Sequence, residues 1–144
     1  MIYTIKLSIL LFRRFLMSKQ TLQLHSTILS IHSLDVDADI PAALLTLPLF
    51  FISKTHDEVS VVCPSNFEID SLDTEPNWQA LEVIGPLGFS LTGIMANISG
   101  VLACAKISIF SISTYDTDYI LVKKQTVPLA ITALKKDGYN VVVE

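Results

Sequence analysis

A chain of 144 residues has room for one compact domain or for two very small lobes sharing a core, and excludes two large domains. Apolar residues make up 51% and charged ones 17%, enough for a buried core and too few charges for a disordered chain. The net charge of −4 argues against nucleic acid as a partner, because neutralising phosphates takes clustered Lys and Arg; a neutral or zwitterionic ligand fits better.

Residues 1–17 (MIYTIKLSILLFRRFLM) form an apolar N-terminal extension. A signal peptide places its basic residues before the apolar stretch, whereas Arg13 and Arg14 interrupt this one, and the stretch is shorter than the ~20 residues a bilayer span needs. It reads as upstream of a true start at Met17 or as a disordered extension, with an amphipathic membrane-surface anchor as the alternative. Residues 21–34 alternate loosely around Leu22, Leu24, Ile28 and Ile31 and predict a strand. Asp35, Asp37 and Asp39 lack the Gly and Glu of a calcium loop, since Ile40 and Thr46 stand at those places, and Asp39 instead caps a short helix over 40–46 with Pro41 in its first turn. Residues 49–53 and 58–63 predict a hairpin turning at Thr55–Asp57. From Pro64 to Asn77 the periodicity disappears into Pro, Ser, Asn and Asp, so a linker is placed at 65–77 between a first, reduced lobe (18–64) and a second (78–144).

The second half is more sharply marked. A strand over 79–84 ends at Gly85-Pro86-Leu87-Gly88. From an N-cap at Ser90, apolar residues at Leu91, Ile94, Met95, Ile98, Val101, Leu102 and Ala105 give the spacing of one buried helix face. Strands over 107–113 and 119–123 flank a polar turn at 114–118. Thr126 caps a helix burying Val127, Ile131 and Leu134, with Lys135 and Lys136 at its negative end and Gly138 beyond; 140–143 is a last strand. The second half therefore reads β-α-β-β-α-β and the first β-α-β-β, an α+β, ferredoxin-like arrangement of tandem lobes, antiparallel sheets carrying helices on one face.

No catalytic set emerges. His25, His32 and His56 show neither HExxH nor HxH spacing, and the GxSxG, GxxxxGK[ST] and GxGxxG patterns are all missing, so neither a metal, a cofactor nor an enzyme is expected. Cys63 and Cys104 sit in apolar runs without CxxC spacing and read as small buried hydrophobes in a reducing, cytoplasmic compartment. Two places invite a ligand. The loop Gly85–Ser90 leads a strand into a helix N-terminus, where unpaired amides favour a carboxylate. The turn Ser113-Thr114-Tyr115-Asp116-Thr117-Asp118 offers carboxylates and hydroxyls to an ammonium group. Together they are complementary to a zwitterion, although a plain strand-to-helix turn and a solvated hairpin tip look the same in sequence.

The segments Gly85–Ile94 (GPLGFSLTGI) and Ile107–Val122 (ISIFSISTYDTDYILV) resemble the ligand loop and following hairpin of the ACT-domain family, within its tandem-ACT group of CASTOR-type amino-acid sensors; the likeness extends more loosely over 25–144. The resemblance implies a regulatory protein that binds a free amino acid between two lobes. Gly88, Phe89 and Asp118 stand at the family's ligand-contacting positions, and Met95 is a candidate pocket wall. With Ser90, Leu91, Ser113, Thr114 and Asp116 these make the candidate ligand site. Arginine sensors of the group carry an acidic residue where this chain has Leu91, so a smaller or apolar amino acid fits at least as well as arginine. A homodimer or a regulated protein is the expected macromolecular partner, with no nucleic acid and no membrane. The competing readings are a structural dimerisation module without ligand, and a small enzyme built on Tyr115, Asp116 and Asp118.

Overall fold

The computed structural model describes residues 19–84 and 92–144. Among the described residues eight strands form one mixed sheet: β1 (Thr21–Leu24), β2 (Leu29–Leu34), β3 (Phe51–Lys54), β4 (Val59–Pro64), β5 (Asp73–Val83), β6 (Ile109–Ser113), β7 (Asp118–Lys123) and β8 (Asn140–Val143). The described helices are α1 (Ile94–Cys104) and α2 (Val127–Lys136), with short 3-10 turns at Ala42–Thr46 and Lys124–Thr126. The α+β, ferredoxin-like architecture expected from the sequence is the one observed.

The strand order β3-β4-β2-β5-β1-β8, with β6-β7 attached to β5, turns on β5. Its N-terminal part pairs with β2 and its C-terminal part with β1 and β7. The register runs almost unbroken along one edge, Leu22 to Val83, Leu24 to Leu81, Leu29 to Trp78. The strand expected over 21–34 is thus two strands on one line, parted at 25–28. Residues 73–77, expected within the linker, are strand instead: their side chains are exposed and, Pro76 apart, polar, so no apolar alternation advertises them, yet β2 pairs with Asp73, Thr74 and Glu75. The pairing also carries β1 into the second half, where it lies between β5 and β8, parallel to β8.

Three apolar clusters follow from the alternation. On the helix side of the second half, Leu22, Leu24, Leu81, Val83, Ile120, Val122 and Val141 meet Ile98 and Leu102 of α1 and Val127, Ala130 and Leu134 of α2. The opposite face holds Leu29, Val62, Trp78, Ala80 and Leu121, and brings β3 against β7, with the Phe51 and Tyr119 ring centroids 5.0 Å apart. Leu34, Val59, Val61 and Cys63 pack with Leu44 beneath the first half. The helix expected over 40–46 is a single 3-10 turn at 42–46 that plugs this cluster with Leu44, which is fully buried.

Both α-helices end in the same way. Tyr139 N–H donates to the Leu134 carbonyl and Gly138 N–H to that of Lys135, with Gly138 at φ +96; Ile107 and Lys106 repeat this on Leu102 and Ala103, with Lys106 at φ +59. The starts differ from expectation. α1 begins after Gly93, at φ +78, rather than at Ser90, and Thr126 donates its hydroxyl to the Lys123 carbonyl (2.8 Å) instead of capping α2. Cys104 is exposed, because it falls on the outer face of α1 with Ala96 and Gly100, while Cys63 is buried as expected and burial pushes its thiol pKa up.

His32 is 7% exposed. Its Nδ1 lies 3.0 Å from Thr74 Oγ1, and Nε2 has no partner among the described residues. Burial disfavours the imidazolium and holds the pKa below its ordinary 6.5. As the pH falls through that ordinary value the unfolded chain takes up a proton that the native chain resists, so stability present above it is progressively lost toward the lower folded pKa. Urea midpoints of the wild type should therefore fall more between pH 7.5 and 5.5 than those of His32→Leu; equal slopes would remove His32 from the acid response.

Candidate functional site

Gly88, Phe89, Ser90 and Leu91 lie outside the described residues, as does the N-terminal extension. The segments on either side of that loop are placed. Val83 and Ile84 end β5, with Ile84 N–H donating to the Thr21 carbonyl at 2.9 Å. Gly93 opens α1, and its carbonyl accepts the Asn97 N–H at 3.0 Å, the first intrahelical bond.

The hairpin turn between β6 and β7 is built from its own polar side chains. Thr114 N–H donates to the Thr117 carbonyl (2.8 Å), the Thr114 hydroxyl donates to the same carbonyl (3.0 Å), and Thr117 N–H donates back to that hydroxyl (3.2 Å). Ser113 Oγ donates to Asp118 Oδ1 at 2.5 Å, closing the neck of the turn. Thr117 is buried and donates its hydroxyl to the Val83 carbonyl. That bond joins the hairpin tip to the last residues of β5. The structure thus brings Ser113, Thr114 and Asp118 to the end of β5 from which residues 85–91 depart. Asp116 and Tyr115 are exposed at the tip. Met95 lies in the first turn of α1, half-buried against the helix-side cluster.

Thr117 is the residue of this site that the sequence reading passed over, since its role depends on a cross-strand contact with no local signature. A second polar group was missed for the same reason. On the helix-free face His25 Nε2 sits 2.8 Å from Glu82 Oε2, and its Nδ1 3.3 Å from Glu144 Oε2. Tyr119 stands opposite Glu82 in the ladder, and burial, followed by the charge and hydrogen bonding of Glu82, raises its phenol pKa. These side chains hold the end of β1, β5, β7 and the residue after β8 together. Among the described residues no three His, Cys, Asp or Glu side chains are placed to hold a metal ion, and no helix is long and apolar enough to cross a membrane.

Residues 73–136, which span β5 to α2, match the family described as ACT domain. The match spans 64 of the chain's 144 residues. The curated proteins to which the chain is similar include the cytosolic arginine sensor for mTORC1 subunit 1, 40% identical over 99 residues in Homo sapiens and 31% in Rattus norvegicus. Those matches cover 63% of this chain and 30% of the relative, so the chain aligns with under a third of the sensor's length. Among solved structures it is similar to protein Atu0741 from Agobacterium tumefaciens (TM-score 0.80, 27% identity, covering 88% of this chain and 94% of that one). The regulatory subunit of aspartate kinase from Thermus flavus shares the fold at TM-score 0.61 and 10% identity, covering 83% of this chain and 98% of that one.

Proposed function

We propose that this ACT protein is a non-enzymatic sensor that binds a free amino acid between its two lobes and passes the occupancy to a protein partner. The ligand's carboxylate meets the amides of the loop around Gly88, Phe89 and Ser90, and its ammonium group meets Asp118, with Ser113, Thr114 and Asp116 on the hairpin and Leu91 and Met95 toward the ligand side chain. The observation that carries this reading is the Thr117 bond to the Val83 carbonyl, which holds the hairpin tip beside the strand end leading into that loop. The bond fixes the hairpin and the end of β5 relative to one another, and preorganised binding groups lower the ordering cost of binding. Similarity to relatives named as cytosolic arginine sensors supports an amino acid as the ligand class. With Leu91 where an acidic partner for a guanidinium would stand, a smaller or apolar amino acid is as good a candidate as arginine. We place the protein in the cytoplasm.

The test is the melting temperature of the full chain against each of the twenty amino acids. A ligand at 100 times its Kd stabilises a folded state that alone binds it by about 2.7 kcal/mol, a shift of several degrees for a domain of this size. Asp118→Ala should abolish the shift and leave the unliganded melting temperature nearly unchanged, because the carboxylate sits at a hairpin neck outside the apolar clusters. An unaltered ligand shift in that variant would remove Asp118 from the site. Twenty flat traces, together with concentration-dependent mass, would favour a dimerisation module; Val142 (39% exposed) and Val143 (65% exposed) on the edge strand β8 are the observation that supports that second reading.

A further inference from the structure

His25, just after β1, lies between two carboxylates that come from different parts of the sheet. Its Nε2 is 2.8 Å from Glu82 Oε2 on β5, and its Nδ1 is 3.3 Å from Glu144 Oε2, on the residue after β8. Both ring nitrogens therefore face acceptors. An ionised carboxylate can only accept, and a neutral imidazole carries a single N–H, so it serves one of the two; the imidazolium carries two and serves both.

The single proton of the neutral ring belongs on Nε2. That contact is the shorter, and the Glu82 side chain is 24% exposed against 51% for Glu144, so leaving Glu82 unpaired is the costlier choice. Nδ1 then turns a lone pair toward Glu144 Oε2, and the contact becomes repulsive.

The surrounding bonds decide which partner gives way. His25 is pinned to β5 through its backbone: its N–H donates to the Ala80 carbonyl at 2.9 Å, and its carbonyl accepts the Gln79 side-chain amide at 3.1 Å. Glu82 stands inside a strand paired with β1 on one edge and β7 on the other. Tyr119 of β7 also faces the imidazole, with ring centroids 6.2 Å apart, and its raised phenol pKa keeps it protonated well above pH 8. Glu144 is held more lightly. Its N–H donates to the Leu24 carbonyl at 3.1 Å, and Oε2 also takes the Ser26 N–H at 3.4 Å. Glu144 is the partner that yields.

We propose that His25 is a proton-operated latch on the β8 end: the imidazolium ties Glu144 to the end of β1, and loss of the second ring proton releases it. Among Glu, His and Tyr, histidine alone ordinarily changes charge between pH 5 and 8, so the latch closes on the acid side of neutrality and opens on the alkaline side. This local response runs opposite to the one expected of His32, whose burial weakens the whole fold as the pH falls. It operates whether or not an amino acid is bound at the loop after β5.

Amide hydrogen exchange of the full chain at pH 5.5 and 8.0, corrected for the intrinsic pH dependence of exchange, tests the latch. The protection of the Glu144 amide is divided by that of Leu121, whose strand is paired on both edges, so that changes in global stability cancel. This ratio should be about two- to fivefold larger at pH 5.5, the range for a partly exposed charge pair. His25→Gln keeps a donor and cannot titrate, and Glu144→Gln replaces the carboxylate with an amide that can donate or accept. Each should make the ratio independent of pH, and the second keeps the test valid if the first disturbs the fold. Ring nitrogen chemical shifts of His25 at pH 8.0 should show Nε2 protonated and Nδ1 bare. A pH-independent ratio in the wild type, an undiminished pH dependence in either variant, or a proton on Nδ1 at pH 8.0 would overturn the proposal.

Discussion

Trp78→Ala is expected to lower the unfolding free energy by about 3–5 kcal/mol, the range for removing a buried large aromatic. Trp78 is 7% exposed and is paired on both edges of β5, with Leu29 of β2 on one side and Lys123 of β7 on the other. Its ring lies 6.5 Å from that of Phe110, and the Lys123 ammonium sits 4.4 Å from its centroid while bonding Glu75 at 2.8 Å. Truncation leaves a cavity between Leu29 and Phe110 where the two halves share a cluster. Urea unfolding should therefore show a lower midpoint and a broadened transition, because coupling between the halves weakens along with the core. Trp78→Phe should recover much of the loss: the indole N–H is buried without a partner among the described residues, so deleting it removes an unsatisfied donor. A loss below about 1 kcal/mol in Trp78→Ala would mean that the halves are held by something other than this cluster.

The second half was legible because its periodicities are local. Ile94, Ile98, Val101, Leu102 and Ala105 lie three and four apart and face the sheet, and alternation set the hairpin of β6 and β7 to within two residues. The same spacing places Ala96, Gly100 and Cys104 on the opposite face of α1, so the exposure of Cys104 could have been read from it; the apolar run around the residue concealed the signal. The first half was harder. Asp73–Asn77 are exposed and, Pro76 apart, polar, and become strand only because β2 lies alongside, and Asn77 takes φ +66 where local propensity points to a turn. The break at 25–28 separates two strands that share one register with β5, a relation visible only after pairing. Of the candidate site, the hairpin residues were chosen from composition, while the contact that sets them beside the end of β5 depends on Thr117, one hydroxyl among several in TYDTD.

Leu22→Ala is expected to cost about 2–5 kcal/mol and to release β8 before the rest of the sheet. Leu22 is fully buried in the helix-side cluster and pairs with Val83 on one side and Val141 on the other. β1 has four residues and is the ladder partner through which β8 joins the sheet. Beyond β1, the β8 end is held by Val141 and Tyr139 in the helix-side cluster and by polar contacts that contribute little each: the Lys19–Asp137 pair, the Asn97 bonds to Asp137 and Tyr139, and the contact of His25 with Glu144. Removing the Leu22 side chain weakens both ladders at once, since packing of that residue against Val83 and Val141 keeps the short strand seated. Hydrogen exchange should then show Val142 and Glu144, whose amides face β1, losing protection well before Leu81 and Leu121, whose strands are held by longer ladders. Val83 should exchange at an intermediate rate, because Thr117 continues to hold its carbonyl from the β7 side. Uniform loss across the described strands would show instead that β8 is bound into the same cooperative unit as β5 and β7, and that helix α2, which shares the Leu134 cluster with Val141, carries the coupling.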